Sequence, residues 1–191
     1  MVLALLQLAA AAAAVPSFDC ARAGTEVERT ICASEELAAL DREEARLYRI
    51  ARAVPRAQRR ALLQRQRAFL RERDSCTQSA SPLGECVRDA YLGEIAELRR
   101  VAGLADDNEG VSFGPNRFEC DGGYHDVFVT VFLIEPEQAW LAIPGAEEGQ
   151  PLVAQADEPE RFVGRYATDM LYDRGTQTAQ VGRRVCTPTG D

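Results

Sequence analysis

Residues 32–86, CASEELAALDREEARLYRIARAVPRAQRRALLQRQRAFLRERDSCTQSASPLGEC, carry the pattern that decides the fold of the N-terminal half. Leu37, Leu40, Leu47, Ala51 and Val54 recur at helical spacing, and Leu62, Gln66, Phe69 and Arg73 continue a similar stripe beyond Pro55. Pro55 has no backbone N–H and its ring crowds the preceding turn, so it ends the first helix and suits the start of the next. The stretch therefore reads as two amphipathic helices folded back on each other, with a cysteine at each end.

On the N-terminal side, Thr25 and Glu28 have the spacing of a capping box and predict a short helix. Ser34, followed by Glu35 and Glu36, predicts the next helix start, where the dipole favours negative charge. Arg42, Arg46 and Arg49 alternate with Glu43 and Glu44 and read as a solvated face. The helix after Pro55 is markedly basic, and an anionic ligand for it is conceivable. Val87, Tyr91, Ile95, Leu98 and Ala102 mark a last helix, which completes a small bundle. Residues 1–16 are almost wholly Leu, Val and Ala up to Pro16, too short to cross a bilayer, and read as a secretory signal. No transmembrane anchor is expected.

Six cysteines, none in a C-x-x-C pair, argue for an oxidising compartment and three disulfides. With a single histidine, His125, and no thiolate cluster at ligand spacing, neither a metal nor a cofactor is expected. Four cysteines come early (Cys20, Cys32, Cys76, Cys86) and two late (Cys120, Cys186), which suggests two separately stapled domains. Charge divides at the same boundary. Residues 17–102 hold 16 Arg against 14 acids, and residues from 103 onward hold 6 Arg against 16 acids. The acidic half disfavours nucleic acid and suits a cationic partner, or serves solubility alone.

Residues 103–116, rich in Asp, Asn and Gly, read as a linker. Beyond it the period changes from helical to alternating. Val127, Val129, Val131 and Leu133 fall on one face of a strand, and Phe128, Thr130 and Phe132 on the other. Further short strands are expected over 138–143, 151–155, 161–167, 170–173, 176–181 and 184–186, giving a small antiparallel barrel or sandwich closed by Cys120 with Cys186. The fold class is thus α+β in two domains, a stapled helical bundle at 17–102 and a β-barrel at 117–191.

Two resemblances follow from these residues. Asp19-Cys20, Glu28, Ile31-Cys32, Leu37, Leu40-Asp41, Tyr48, Gln66, Phe69-Leu70, Arg73-Asp74 with Cys76, then Cys86, Tyr91 and Leu98, resemble the LprI-type lysozyme-inhibitor domain, with Phe69 where that family often has Trp. The F-x-C-D-G-G opening at 118–123 and the late Y-x-x-G are similar to the MliC/PliC family of C-lysozyme inhibitors, an eight-stranded barrel. That resemblance implies two loops offered to the enzyme. One is Tyr172-Asp173-Arg174-Gly175, with Arg174 in place of the family's lysine. The other lies over Glu158 to Phe162, which keeps an aromatic and lacks the family's Ser and Gly.

Helix geometry bears on the first four cysteines. Cys32 and Cys76 lie almost equally far from Pro55, which favours nested pairing of Cys32 with Cys76 and Cys20 with Cys86; the sequential pairing stays open. The implied partner is a c-type lysozyme, a basic protein, held by Glu158, Phe162, Tyr172, Arg174 and Gly175. An envelope-maintenance module that does not inhibit is the alternative. No nucleophile motif or spaced acid–base pair points to an enzyme, and the pattern does not specify an oligomeric state.

Overall fold

The computed structural model describes residues 15–53, 55–122, 126–146, 149–164, 169–173, 175–176 and 178–189. The expected signal segment lies almost entirely outside the described residues, as do Val54, His125 and Arg174.

After a 3-10 turn at Cys20–Arg22, four α-helices follow: α1 (Glu26–Ala33), α2 (Glu35–Ala51), α3 (Arg56–Ser75) and α4 (Leu83–Ala102). The capping box of α1 is present in both directions between Thr25 and Glu28. Ser34 accepts from the Leu37 N–H at 3.2 Å and caps α2. Pro55 is the N-cap residue of α3, one place before the first helical position. Val27, Ile31, Leu37, Leu40, Leu47, Leu62, Phe69, Tyr91, Ile95 and Leu98 form the core between the helices.

The early disulfides are sequential, Cys20 with Cys32 and Cys76 with Cys86, which corrects the nested expectation. Counting residues back from Pro55 treats Cys32 as the end of α2. Instead Ser34 ends α1 and caps α2, so the chain bends there and Cys32 belongs to a separate short helix. Each bridge then ties a helix to its own flanking 3-10 turn.

Eight strands close into an antiparallel up-and-down barrel: β1 (Ser112–Cys120), β2 (Val127–Phe132), β3 (Gln138–Ala142), β4 (Gln150–Ala154), β5 (Arg161–Gly164), β6 (Asp169–Asp173), β7 (Thr178–Val181) and β8 (Arg184–Pro188). Cys120 and Cys186 face each other across the closing β1–β8 pair and are disulfide-bonded. Phe118, Val127, Val129, Leu141, Leu152, Phe162, Met170 and Ala179 fill the interior. β1 starts at Ser112, inside the stretch read as linker. It is hard to see as a strand because Gly114 and Pro115 interrupt it: the pairing with β2 shifts register between Phe113 and Asn116, and Gly114 has φ +96°.

The helices cover one flank of the barrel. β2 is buried on both faces: Val127 and Val129 point into the barrel, while Phe132 joins the helical core with no exposed surface. A strand buried on both faces needs apolar residues without alternation, which accounts for its density in Val and Phe. Trp140 of β3 lies against α4, where a Cβ at Gly93 would come within 3.1 Å of its ring. Gln138 donates to the Glu36 carboxylate at 2.6 Å.

Candidate functional site

Because neighbouring strands are antiparallel throughout, the β4–β5 and β6–β7 connections emerge at the same end of the barrel. These are the two loops the sequence singles out. At this rim Asp157, Glu158, Glu160 and Asp173 are exposed. Arg161 is held by Asp169 at 2.9 Å and by Glu158 at 3.6 Å. The main chain ties the two loops together, since the Tyr172 N–H donates to the Glu160 carbonyl at 2.8 Å.

The β6–β7 turn is built around Asp173. Its Oδ1 accepts from the N–H groups of Gly175 at 2.8 Å and Thr176 at 3.0 Å, which braces the turn without a long side chain. Those bonds, that of Thr176 foremost, hold the Asp173 carboxyl below its ordinary range. Gly175 contributes to this turn through space rather than backbone freedom. Its φ is not in the left-handed region; what its missing Cβ permits is the approach of Asp173 Oδ1, which would lie 3.2 Å from such an atom.

The remaining residues of this set divide. Tyr172 is half-buried and packs edge-on to Phe118, ring centroids 6.3 Å apart. Glu158 is exposed. Phe162 is wholly buried inside the barrel, next to Met170 across the β5–β6 pair, and offers no surface to a partner. Residue alternation explains this: Arg161 and Val163 face outward on β5, so the residue between them faces in. The structure thus brings Glu158, Tyr172 and Gly175 to one rim and withdraws Phe162 from it.

Two polar clusters went unread in the sequence. In the bundle, Asp41 accepts from the Tyr91 hydroxyl at 2.8 Å and from the Ser17 N–H at 2.6 Å. Arg73 donates to the Tyr91 oxygen at 3.2 Å, pairs with Asp74 and lies 6.0 Å from the centre of the Phe69 ring. The arginine and aspartate of the R-D-x-C sequence therefore brace the helices. Nearby, Glu44 is buried, with Oε1 lacking a hydrogen-bond partner. Burial pushes its pKa up to about 7, against the opposing bond from Gln66, and Glu94 and Asp41 add to the rise.

The second cluster joins the bundle to the barrel. Arg99, with no exposed surface, donates to the carbonyls of Gly114 (2.5 Å), Leu104 (2.7 Å) and Asp107 (2.7 Å) and to Ser112 Oγ (3.2 Å). The Ser112 hydroxyl in turn donates to Glu43. Glu43 receives both Nε and Nη2 of Arg46 at 2.9 Å, and Arg46 also reaches Asp107 at 2.8 Å. Gly110, at φ +83°, lies where a Cβ would collide with the Glu43 carboxylate, so no other residue fits without displacing that carboxylate. This corrects the solvated reading of the α2 polar face, because Glu43 and Glu44 are both buried. A bidentate i,i+3 Glu–Arg pair looks the same in sequence whether it faces water or a neighbouring unit. The one available signal was the Asp-x-x-Gly-x-Ser pattern from Asp107, in which Gly and small polar groups answer buried charge.

These features define a class: a disulfide-stapled helical bundle joined through a buried ionic junction to a closed eight-stranded barrel with an acidic rim. Among the described residues, no group of three or more His, Cys, Asp or Glu side chains is placed to hold a metal ion, and no helix is long and apolar enough to cross a membrane. Residues 19–109 match the family model described as lysozyme inhibitor LprI. The match opens just before the first half-cystine and closes one residue before Gly110. No curated protein and no solved structure matches the chain.

Proposed function

We propose that this protein is an extracytoplasmic inhibitor of c-type lysozyme that blocks the catalytic cleft with the acidic rim of its barrel. The observation that carries the inhibitor reading is the match of residues 19–109 to a lysozyme-inhibitor family; the choice of the barrel rim, outside that match, rests on its exposed acids and its two adjoining loops. Three disulfides support an oxidising compartment, and residues 1–16 would supply the export signal. Enzymes of this class cleave glycan with two carboxylates in a cleft and are basic proteins. A chain carrying 16 acids against 6 arginines from residue 103 onward would be steered to such a partner. Arg174, between Asp173 and Gly175 on the β6–β7 connection, would then supply a guanidinium able to pair a cleft carboxylate in two-pronged fashion. The bonds from Gly175 and Thr176 to Asp173 fix the backbone on one side of this position and would reduce the ordering cost of binding.

One observation favours a second reading. The aromatic of the other loop motif, Phe162, is inside the barrel, and its Ser and Gly are replaced. A barrel offering only one contact loop suits an envelope-binding module that does not inhibit. A cell-wall lysis turbidity assay with the purified protein and a c-type lysozyme separates the two. Inhibition that saturates near equimolar ratio, weakens with salt and falls at least about tenfold in Arg174→Ala is the expected result. Full lytic activity at large molar excess of the protein would overturn the inhibitory reading and leave the second.

A further inference from the structure

In a protein of net charge −8, one stretch runs against the whole: from Ala45 to Arg71 there are nine arginines and no acidic residue. Arg46 of this stretch turns to the bundle–barrel junction and Arg65 pairs with Glu94 and Glu97; the exposed arginines lie along the edge formed by the end of α2 and the length of α3. Leu62 and Phe69 hold α3 to the bundle. Arg60, Leu63, Arg67, Leu70 and Arg71, spaced by three or four residues or by one turn, occupy the opposite, exposed face. Arg49 and Ile50 of α2, and Arg52 just after its end, add to the edge. Its large apolar residues reach the surface, with Ile50 39 %, Leu63 49 % and Leu70 36 % exposed. Where the two helices meet, Tyr48, Arg49, Arg52, Arg59, Leu62 and Leu63 line an open cleft of about 380 Å³.

We propose that this α2–α3 edge is a docking face for an anionic phospholipid bilayer. Arginines alternating with exposed aliphatic side chains match a surface that is negatively charged at the headgroups and apolar just beneath them. From Arg60 to Arg71 the face extends roughly 16 Å along the helix, enough to meet several headgroups. The cleft beside it has guanidinium groups and a leucine floor, which suits a phosphate with its attached acyl chain. A nucleic acid would reward the charge but not the aliphatic groups, since bases stack on aromatic platforms. The edge is also unsuited to a basic enzyme, so lipid contact here and partner contact at the acidic rim would use separate surfaces. The assignment does not rest on the inhibitory reading.

The test is co-sedimentation of the purified protein with vesicles of phosphatidylcholine alone or mixed with phosphatidylglycerol, at low and high salt. Binding is expected only to the anionic vesicles, decreasing with salt. In Arg60→Gln/Arg67→Gln the partition coefficient is expected to fall about thirtyfold, the equivalent of about 1 kcal/mol for each charge removed. Leu63→Asn/Leu70→Asn should weaken it severalfold. Emission from the single tryptophan, Trp140 at the bundle–barrel contact, checks that each variant keeps its fold. Absence of binding, equal binding to both vesicle types, or undiminished binding by the double arginine variant would overturn the proposal. So would displacement of the protein from vesicles by soluble glycerol phosphate at millimolar concentration, which would assign the cleft to a free anion. A concentration-dependent dimer in lipid-free sedimentation velocity that the arginine variant abolishes would assign the edge to a second copy and overturn it equally. Because the readout is lipid partitioning, a failed lysozyme assay leaves this result intact, and the reverse holds too.

Discussion

Replacing Arg99 by methionine keeps the aliphatic stem and removes the guanidinium that joins the two halves of the molecule. Four oxygens would lose its hydrogen bonds, the carbonyls of Gly114, Leu104 and Asp107 and the Ser112 hydroxyl. The buried Glu43 carboxylate and the half-buried Asp107 carboxylate, 3.9 and 3.8 Å from Nη1, would lose a compensating charge. Arg46 would remain bonded to both carboxylates and limit the damage. Breaking one partner of a buried ionic cluster costs about 3–5 kcal/mol, which for a chain of this size lowers the thermal midpoint by on the order of 10 °C. Because this guanidinium bridges bundle and barrel, its removal should also split unfolding into two transitions. Calorimetry, paired with helical circular dichroism and Trp140 emission, measures both effects. Arg100→Met, which removes an exposed cation paired with Glu97 at 2.5 Å, serves as the control and should change stability by less than about 1 kcal/mol. Arg99→Met melting as one transition within about 1 kcal/mol of the parent would refute the account of the junction.

Two further outcomes follow from the geometry. Glu44 has a folded-state pKa raised to about 7 from 4.5, so the native state holds a proton that the unfolded chain releases between those values. Stability should therefore fall as pH rises through that window, and Glu44→Gln should recover up to about 3 kcal/mol at pH 8 while matching the parent near pH 4, read by urea denaturation at the two pH values. Removing the Cys120–Cys186 bridge, whose sequence separation is 66, as Cys120→Ser/Cys186→Ser should cost about 4 kcal/mol in the chain-entropy picture. The Cys20–Cys32 bridge, separated by 12, should cost about 3 kcal/mol by the same relation. If the two losses ranked in the opposite order in guanidinium melts, loop length would not be the governing quantity.

The strands were legible because each is a short apolar alternation bounded by Gly, Pro or Asp, and seven of the eight lie within a residue or a few of where that pattern puts them. The first was hidden by Gly114 and Pro115, which break the pattern although the strand continues through them. Helix starts were legible at Thr25 and Ser34, since capping is local chemistry. What could not be read was long-range. Glu43 and Glu44 are charged residues at ordinary surface spacing, and only the arrival of Ser112, Gly110 and Gln66 beside them makes them interior. The early disulfides depended on the helix break at Ser34, which puts Cys32 on a separate short helix. At the rim, Phe162 was legible as an interior residue from its own strand, but the loop resemblance pointed the other way.

The position of Phe132 carries a consequence for how such molecules are assembled. A barrel residue completes the packing of the helices, and the chain that follows residue 109 supplies the Ser112 hydroxyl and the Gly114 carbonyl that meet Glu43 and Arg99. A fragment cut at the end of the matched family segment would be left with an unfilled hollow and stranded ions. Grafting this bundle onto another scaffold would thus require a substitute plug in place of Phe132 and new partners for Glu43 and Arg99.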